Sequence, residues 1–426
     1  MIDLKEIKSR NEEITANIKN RFMNVQLDQV LELQEQRALL LSETEDLRAA
    51  RNANASKMKD KMDKDARAEL ISQGKDLKIK ISKVEKKLAE VEDAYFTLGA
   101  TIPNYAHPEA PVGKEDKDNL AVKFFGEPTK FNFKPLDHVQ IGENLDLIDF
   151  DKGTKVSGAK SYYLKNKAVI LQMAIERYAM DIVIKHGFTP FITPDIAKEE
   201  ILKGIGFNPR GAESNIYTIE GTDTCLVGTA EITLGGYYQG EILEKKDLPI
   251  KMTGLSHCFR REAGGAGQYS KGLYRVHQFS KLEMFIICLP EQSDEFHKNI
   301  LAIEEEIFQG LGISYRVVDT CTGDLGAPAY RKFDIEAWMP GRGDSGEYGE
   351  VTSTSNCTDY QSRSLQIRYR DEEGKPQFVH MLNGTAVALS RAMVAILENY
   401  QCEDGSIKMP KALIPYTGFD AIEAIK

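Results

Sequence analysis

The run from His257 to Phe285, HCFRREAGGAGQYSKGLYRVHQFSKLEMF, combines arginines, glutamates and aromatic rings around a glycine-rich stretch. We interpret it as two strands joined by a long loop, because the side chains of a strand alternate between its two faces. One face of the first strand is predicted to carry Cys258, Arg260 and Glu262. One face of the second strand is predicted to carry Leu273, Arg275, His277, Phe279, Lys281, Glu283 and Phe285, and the other face Tyr274, Val276, Gln278, Ser280, Leu282, Met284 and Ile286. One hairpin can thus present arginines, two glutamates and an aromatic ring on a single surface.

Such a surface suits a ligand that has phosphates, a flat base and an ammonium group. Arginine forks bind phosphate and carboxylate, a phenylalanine ring can stack on a base, and a buried glutamate can bind a cation. The alternative is a solvated strand face, but such faces seldom keep Phe and His among their charges. We therefore favour a binding site.

Two further segments have residue types that suit a polar ligand. Gly228–Glu231 precedes an apolar helical stretch, where Thr229 could serve only as an N-cap. The segment Glu350–Ser353 could be a polar surface strand, or its carboxylate and hydroxyl could hold Mg²⁺ against phosphates. Strict alternation places Glu350 and Ser353 on opposite faces, so both can reach one ligand only through a bulge or a backbone contact.

A third segment, Leu382–Arg391, has the sequence LNGTAVALSR. Its glycine and small residues allow a ligand to approach the backbone closely. Arg391 opens a long apolar helix, where it could reach phosphates or could simply form a surface salt bridge.

Taken together, these segments resemble the motifs of class II aminoacyl-tRNA synthetases. The residues FRRE and RVHQF look like motif 2, and LNGTAVALSR looks like motif 3. A predicted helix over 164–186, followed by a strand that ends at Pro194, looks like motif 1. The TAE sequence at 229–231, RVHQF and LNGT are similar to seryl-tRNA synthetases in particular. Ser390 departs from this family, which commonly has glycine there.

The resemblance implies a two-step activation of L-serine with ATP and transfer to tRNA(Ser), and also to tRNA(Sec). It implies Arg260 and Arg391 as catalytic residues, and Glu350 and Ser353 as ligands of Mg²⁺. It implies a serine pocket made of Thr229, Ala230, Glu231, Arg260, Glu283, Asn383 and Thr385. It implies an ATP site made of Arg260, Arg261, Glu262, Arg275, Val276, Phe279, Glu350, Val351, Thr352, Ser353 and Arg391.

The elements that must carry these residues begin with helices over 1–20, 26–62 and 66–98. In the two long helices, seam residues alternate by spacings of three and four, which predicts an antiparallel coiled-coil hairpin. The seam of the first is Val30, Leu33, Arg37, Leu40, Thr44, Leu47, Arg51 and Asn54; that of the second is Leu70, Gly74, Leu77, Ile81, Val84, Leu88, Val91 and Tyr95. Gly74 is the weak position, because glycine costs about 1 kcal/mol against alanine in a helix.

Charge supports a role for this arm in binding a polyanion. Residues 48–87 contain 13 basic and six acidic side chains, so this segment carries +7 while the whole chain carries −10. A solvated coiled-coil face is the alternative on charge alone. The resemblance implies that the arm contacts tRNA, through residues that include Arg51, Lys57, Lys78 and Lys80.

The predicted fold class is α+β. We expect the helical arm over 1–99, a proline-rich linker over 100–120, and over 121–426 a class II catalytic domain whose central antiparallel sheet is flanked by helices. The resemblance also implies a homodimer.

Composition narrows the remaining possibilities. The six cysteines are scattered and form no CxxC pair, so no structural zinc site is expected. No stretch of about 18 apolar residues predicts a membrane span, and the charged start MIDLKEIKSR does not resemble a targeting segment. We expect a cytoplasmic enzyme.

Three other functions remain open at this point. A tRNA-independent ligase would use the same motifs but would not need the basic arm. A non-enzymatic adaptor would be expected to have lost at least one of the site charges. A synthetase for another amino acid would be expected to lack the joint presence of TAE, RVHQF and LNGT.

Overall fold

The computed structural model describes residues 1–207, 215–262 and 271–425. The chain divides into two compact units, Met1–Pro103 and Asn104–Lys426. The first is helical and the second combines helices with an extended sheet, as the predicted α+β class requires. Within the described residues, no helix has the length and apolarity needed to cross a membrane.

The first unit consists of three helices, α1 (Asn11–Asn20), α2 (Leu27–Lys57) and α3 (Lys64–Gly99). The prediction of one helix over 1–20 was wrong, because a 3₁₀ turn capped by the side chain of Asp3 precedes α1. Helix α2 ends before residue 62, because Asp63 caps the start of α3 by accepting a hydrogen bond from the Ala66 N–H at 2.7 Å. At 1.5 Å per residue, the 31 residues of α2 span about 46 Å.

The predicted seam joins α2 to α3. Every seam residue of α3 is buried or half-buried, and Arg37 pairs with Glu92 across the helices at 2.9 Å. On α2, Arg51 is exposed although it falls on a seam position, so the prediction was wrong there. Near the tip of the arm, the two helices share a polar contact, the 3.3 Å hydrogen bond from Asn54 to Gln73.

The second unit contains seventeen strands and nine helices within the residues that the structure describes. The strands are β1 (Leu120–Phe125), β2 (Ile148–Asp149), β3 (Tyr163–Leu164), β4 (Thr189–Ile192), β5 (Ile196–Lys198), β6 (Thr224–Leu226), β7 (Ile242–Glu244), β8 (Ile250–Phe259), β9 (Gln278–Cys288), β10 (Tyr315–Asp319), β11 (Arg331–Met339), β12 (Glu347–Asn356), β13 (Arg368–Arg370), β14 (Pro376–Phe378), β15 (His380–Ala388), β16 (Ile407–Lys408) and β17 (Ala421–Ile422). The helices are α4 (His138–Asn144), α5 (Phe150–Ser157), α6 (Lys167–Lys185), α7 (Glu199–Ile205), α8 (Ala230–Gly236), α9 (Ser293–Gly310), α10 (Tyr360–Leu365), α11 (Leu389–Asn399) and α12 (Ile414–Thr417).

The central sheet has eight strands in the order β1-β10-β11-β12-β15-β9-β8-β4. All neighbouring pairs are antiparallel except β4 and β8. Helices α6, α9 and α11 cover one face, and α8 and α10 lie against the other. The sheet is thus flanked by helices, as predicted.

Strand β9 shows why the sheet can hold both a core and a site. Leu282, Met284 and Ile286 enter the core beneath α6, α9 and α11, and Phe285 enters the core on the opposite face. The alternation predicted for 279–286 is confirmed, but the strand begins at Gln278 because Gly272–Tyr274 form a 3₁₀ turn. Residues 263–270 of the predicted glycine-rich loop lie outside the described residues.

Residues in the segment predicted as a linker are bonded to the second unit. The Asn104 side-chain amide donates to the Cys357 carbonyl at 3.0 Å, and the His107 N–H donates to the Tyr330 carbonyl at 2.8 Å. The backbone from Asn104 onward is therefore held in place, and its one regular element before β1 among the described residues is a short 3₁₀ turn over Asp116–Asp118.

We predict that Gly74→Ala stabilises the arm by about 0.5–1 kcal/mol, because alanine is the better helix former. A Cβ atom at this position would meet only Asn54 Oδ1, at an ordinary 3.7 Å. Thermal unfolding and amide exchange in α3 of the full chain measure the effect.

Gly99→Ala, on the same helix, is the matched control. Its Cβ would lie 2.6 Å from Leu4 Cδ1, so this variant should be less stable than the parent chain. Equal effects at both positions would contradict the prediction.

Candidate active site

A polar cavity of about 240 Å³ opens on the face of the sheet that carries α8 and α10. Its walls are Phe207, Thr229, Glu231, Arg260, Glu262, Tyr274, Val276, Phe279, Lys281, Glu283, Glu350, Val351, Thr352, Ser353, Ser355, Asn383, Thr385, Ala388, Ser390 and Arg391. Most of the residues predicted for a ligand site thus lie around one cavity.

Three predicted site residues are not part of the cavity walls. Ala230 is fully buried behind them, where it packs near Gly254. Arg261 is exposed, and Arg275 pairs with Glu262 at 3.1 Å. Arg275 can therefore act on the cavity through Glu262.

One end of the cavity is built around Glu283, which is 1% exposed. Its carboxylate forms a close ion pair with Lys281 and accepts a hydrogen bond from the Thr229 hydroxyl at 3.0 Å. The Lys281 ammonium also reaches the Thr385 hydroxyl at 3.5 Å. This end therefore presents a buried ion pair and two hydroxyl groups that are held by mutual contacts.

Thr229 is the N-cap that its sequence allowed, and it also contacts Glu283. Its hydroxyl caps α8 by accepting from the Glu231 N–H at 3.1 Å, and the same hydroxyl donates to Glu283. The cap therefore fixes the direction of the donated hydrogen bond.

A second carboxylate, Glu231, lies at the same end. Its Oε1 accepts hydrogen bonds from Gln361 at 2.7 Å and from Asn383 at 3.0 Å. Burial, and then the negative charge of Glu283, raise the pKa of Glu231 to about 7. Glu231 can thus exchange a proton near neutral pH. The two carboxylates differ in their partners, because Glu283 forms an ion pair with Lys281 and Glu231 accepts only from amide groups among the contacts described above.

The other end of the cavity is rich in arginine. The Arg260 guanidinium lies 5.3 Å from the centre of the Phe279 ring, and its Nε donates to the Gly228 carbonyl at 3.3 Å. Arg391 lies over the Tyr274 ring at 4.6 Å. The two arginines therefore reach this end from opposite parts of the chain, one from the end of β8 and one from the start of α11.

Between the two ends, Glu350 pairs with Arg391 at 3.1 Å. Burial opposes ionisation of Glu350, but the charges of Arg391 and Lys332 outweigh it, so the pKa of Glu350 lies below its usual value. The pairing of β11 with β12 shifts register beside Val351. Of the two possibilities that the sequence left open, a bulge or a backbone contact, the structure has the bulge, and Glu350 and Ser353 both line the cavity.

The donor set of Glu350 and Ser353 fits Mg²⁺. This ion is commonly held by one or two protein oxygens while phosphate and water oxygens complete its shell. The described residues contain no cluster of three or more His, Cys, Asp or Glu side chains that would form an all-protein metal site. These two residues can therefore hold Mg²⁺ only together with a ligand that supplies more oxygens.

A fully buried glutamate supports the cavity from beneath. Glu304 of α9 accepts a hydrogen bond from the Thr352 hydroxyl at 2.8 Å, and its other oxygen has no hydrogen-bond partner among the described residues. Burial raises the pKa of Glu304 well above its usual value. Gly384 makes room for it, because a Cβ atom there would lie 2.8 Å from the Glu304 carboxylate.

Sequence reasoning did not assign several of the cavity residues. Lys281 was placed on the correct face but was given no role, although its spacing of two from Glu283 already put the pair together. Alternation placed Tyr274 and Val276 on the opposite face, which was wrong because the strand starts after them. Of these two residues, only Val276 had been predicted, from the resemblance, for the ATP site. The remaining unassigned wall residues are Phe207, Ser355, Ala388 and Ser390.

Comparison with known families covers both units. Residues 217–400 match the family model of the tRNA synthetase class II core domain (G, H, P, S and T). Residues 1–106 match the seryl-tRNA synthetase N-terminal domain.

Similar proteins align over nearly the whole chain. A serine–tRNA ligase of Treponema denticola is 64% identical over 99% of this chain and 100% of that protein. One of Borrelia recurrentis is 55% identical over 99% of each. Among solved structures, a seryl-tRNA synthetase of Pyrococcus horikoshii complexed with ATP has a TM-score of 0.89 at 39% identity and covers all of both chains.

We predict that Glu304→Gln makes the protein more stable at neutral and alkaline pH. An unfolded glutamate ionises near pH 4.3, whereas buried Glu304 keeps its proton to higher pH. The native state thus binds more protons above that pH, so the free energy of unfolding falls as pH rises toward the folded-state pKa. Glutamine removes this loss, and the variant's advantage in Tm should grow from pH 5 to pH 8, reaching about 2 °C or more.

The neighbouring substitution Glu305→Gln is the control. It removes a carboxylate that accepts from Tyr315 and pairs with Lys123, so it should lower Tm. A Glu304→Gln variant that is less stable than the parent at every pH would contradict the conclusion that the Glu304 carboxyl is uncharged in the folded protein.

Proposed function

The chain belongs to the seryl-tRNA synthetase family and is a class II serine–tRNA ligase, and from this premise we propose how its cavity performs the reaction. L-serine is activated by ATP to seryl-adenylate, and the seryl group is then transferred to the 3′ end of tRNA(Ser). The proposal rests on a single observation. A buried end with Glu283, Lys281 and Thr229 opens into the same cavity as Arg260, Glu350 and Arg391.

In the first step, an oxygen of the serine carboxylate attacks the α-phosphorus of ATP. A new O–P bond forms as the bond from the α-phosphorus to the bridging oxygen breaks, and pyrophosphate leaves with that oxygen. Because the carboxylate is already a nucleophile, the protein contributes positioning and charge stabilisation. Arg260 bridges the attacking carboxylate and the α-phosphate in this proposal.

The remaining ATP contacts follow from the arginine-rich end. Phe279 stacks on adenine, and Glu262 and Val276 lie beside it. Arg391 neutralises the outer phosphates. The other residues of the proposed ATP site are Arg261, Arg275, Val351 and Thr352.

Glu350 and Ser353 hold Mg²⁺ in this proposal. The ion supplies charge neutralisation at the phosphate oxygens when it is bound. The bulge at Val351 and the low pKa of the Glu350 carboxyl support this role, because both oxygens then face the cavity and the carboxylate stays ionised.

Serine is recognised at the acidic end. Glu283 and Glu231 receive its ammonium and hydroxyl, and Thr229, Asn383 and Thr385 complete the pocket, with Ala230 behind them. A pocket built to bond a hydroxyl rejects alanine, because its own groups would be left unpaired. Threonine must be excluded by its extra methyl group, which is the harder discrimination.

In the second step, a ribose hydroxyl of the terminal adenosine of the tRNA attacks the seryl carbonyl, and AMP leaves. We propose that the arm, residues 1–99, grips the tRNA by shape and backbone, as suits RNA helices. The exposure of Arg51, Lys57, Lys78 and Lys80 supports this. We extend the proposal to tRNA(Sec), which has the same class of acceptor.

We also propose a homodimer formed through the motif 1 elements α6 and β4. The support is a set of exposed apolar side chains, with Met173 61% exposed on α6 and Ile192 88% exposed on β4. Large apolar groups exposed in this way mark interaction surfaces when they cluster. A cytoplasmic setting is consistent with cysteines that are all free.

The alternatives raised by the sequence are less well supported. A carrier-protein ligase would not need the arm, and an adaptor would not need Arg260, Glu283 and Glu350 in one cavity. The serine–tRNA ligases at 64% and 55% identity leave little room for another amino acid.

We predict ATP–pyrophosphate exchange that depends on serine and needs no tRNA, with far weaker exchange on threonine, alanine or glycine. Glu283→Gln should lower exchange by about 100-fold or more, because Lys281 would be left buried without its counter-charge. Glu336→Gln is the matched control, since Glu336 lies opposite Glu350 in the sheet but pairs with Arg316 outside the cavity.

Exchange that peaks on another amino acid would remove the roles given to Thr229, Glu231 and Glu283 while leaving the ATP residues in place. No exchange with any amino acid would overturn the proposed first step.

We predict that charge reversal of Lys57, Lys78 and Lys80 to glutamate weakens tRNA binding and leaves serine-dependent exchange intact. The slope of log affinity against log salt should flatten by about two to three, because that many phosphate contacts are lost. Reversal of the exposed Lys5 and Lys19, which lie outside the two long helices, is the control and should change neither quantity. Equal loss of binding and exchange would contradict this division of labour.

A further inference from the structure

The segment 271–276 leads into β9 and delivers two side chains to the cavity. Tyr274 and Val276 form part of its wall, and the Tyr274 hydroxyl donates to the Glu350 carbonyl at 3.0 Å. Only a short 3₁₀ turn, Gly272–Tyr274, gives the segment regular structure. Its position must therefore be set by contacts outside the segment.

One such contact comes from His138, the first residue of α4. The Leu273 N–H donates to His138 Nε2 at 3.2 Å. On the other side of the ring, Nδ1 lies 2.8 Å from Glu398 Oε1. His138 is thus buried between the segment and α11.

These partners define the protonation of the ring. Because the Leu273 N–H can only donate, Nε2 must be the unprotonated nitrogen, and Nδ1 therefore carries the hydrogen that Glu398 accepts. Glu398 also accepts from the backbone N–H groups of His138 at 3.1 Å and Gly341 at 2.9 Å. The carboxylate thereby fixes which nitrogen of His138 is free to accept.

The fit between the ring and the segment is close. A Cβ atom on Gly272 would lie 2.2 Å from His138 Nε2, and Gly272 also has a positive φ of 63°. Both facts require glycine there. The segment therefore lies directly against the imidazole.

Helix α11 holds the segment at a second point. Arg391 lies over the Tyr274 ring at 4.6 Å, and Glu398 follows seven residues later, two turns further along the same face. One rigid helix thus contacts Tyr274 directly and holds the Leu273 N–H through His138.

We propose that His138 is a positioning residue for the ATP end of the cavity. By accepting from the Leu273 N–H, it holds Tyr274, Arg275 and Val276 in register with Arg391 and Glu350. Glu398 supports this role, because its hydrogen bond to Nδ1 leaves Nε2 unprotonated and able to accept. His138 is not part of the cavity wall, and the residues that it holds lie at the arginine-rich end. Its loss should therefore act on ATP binding and not on serine binding.

Two substitutions separate this role from a merely structural one. In His138→Asn, the amide N–H₂ stands where Nδ1–H was, so the bond to Glu398 survives and the acceptor for Leu273 is lost. In His138→Gln, the amide oxygen can reach the position of Nε2 and accept from Leu273, while the bond to Glu398 is lost. We expect His138→Asn to raise KM for ATP about tenfold, the effect of one buried donor left unpaired, with KM for serine unchanged. His138→Gln should restore KM for ATP to within about threefold of the parent value.

Amide exchange of residues 271–276 in the full chain gives an independent readout. It should speed up in His138→Asn and stay near the parent rate in His138→Gln. Equal changes in both variants, a larger effect in His138→Gln, or no effect in either would overturn the proposal, because a structural role would follow the Glu398 bond. If His138→Asn fails to fold, Gly272→Ala tests the same contact and should raise KM for ATP alone.

The kinetic arm rests on the proposed function, so the parent chain is assayed first. Absence of serine-dependent exchange in the parent would defeat the proposed function, whereas the amide-exchange comparison would still decide the role of His138. The controls are His186→Asn and His186→Gln, at a partly exposed histidine that pairs with Glu306. Both should leave KM for ATP and the amide hydrogen exchange of residues 271–276 unchanged.

Discussion

The site depends on the ion pair that Lys281 and Glu283 form inside the sheet. The two side chains lie two residues apart on one face of β9 and are only 6% and 1% exposed. Removing such charges from water costs several kcal/mol per ion, and close pairing with further hydrogen bonds is needed to offset it. Thr229 and Thr385 supply those bonds. Because an apolar pair of similar volume is often as stable, the value of this pair lies in the polar ligand that it can receive.

A regular sheet would place only every second residue of a strand in this cavity. Two register shifts in the sheet bring additional side chains to the cavity. The bulge beside Val351 brings Glu350 and Ser353 to the same side, and a register shift between Thr385 and Val387 allows both Thr385 and Ala388 to reach the cavity wall. Bulges commonly redirect side chains in this way next to binding sites. The acidic end and the arginine-rich end can therefore share one short stretch of sheet.

Local patterns in the sequence were sufficient for much of this arrangement. The period-two alternation of β9 predicted the face that carries Phe279, Lys281 and Glu283, and the long helices of the arm followed from their seam. The pattern failed at Tyr274, because Gly272 turns the chain against His138, which lies far away in the sequence. The burial of Glu304 beneath Thr352 left no local signal either. Both features come from tertiary contacts, which periodicity does not encode.

The two ends of the cavity are held by different parts of the second unit. The acidic end is fixed within the sheet and by the cap of α8, since Glu283, Thr385 and Thr229 come from β9, β15 and that cap. The arginine-rich end is positioned by α11, in which Arg391 and Glu398 lie about 10 Å apart along the helix axis. Glu350 joins the two, because its strand pairs with β15 at one end and its carboxylate pairs with Arg391. A reaction that must align a carboxylate from one ligand with a phosphate of another needs such a fixed distance between their sites, and the contact of α11 with the sheet through Glu350 provides it.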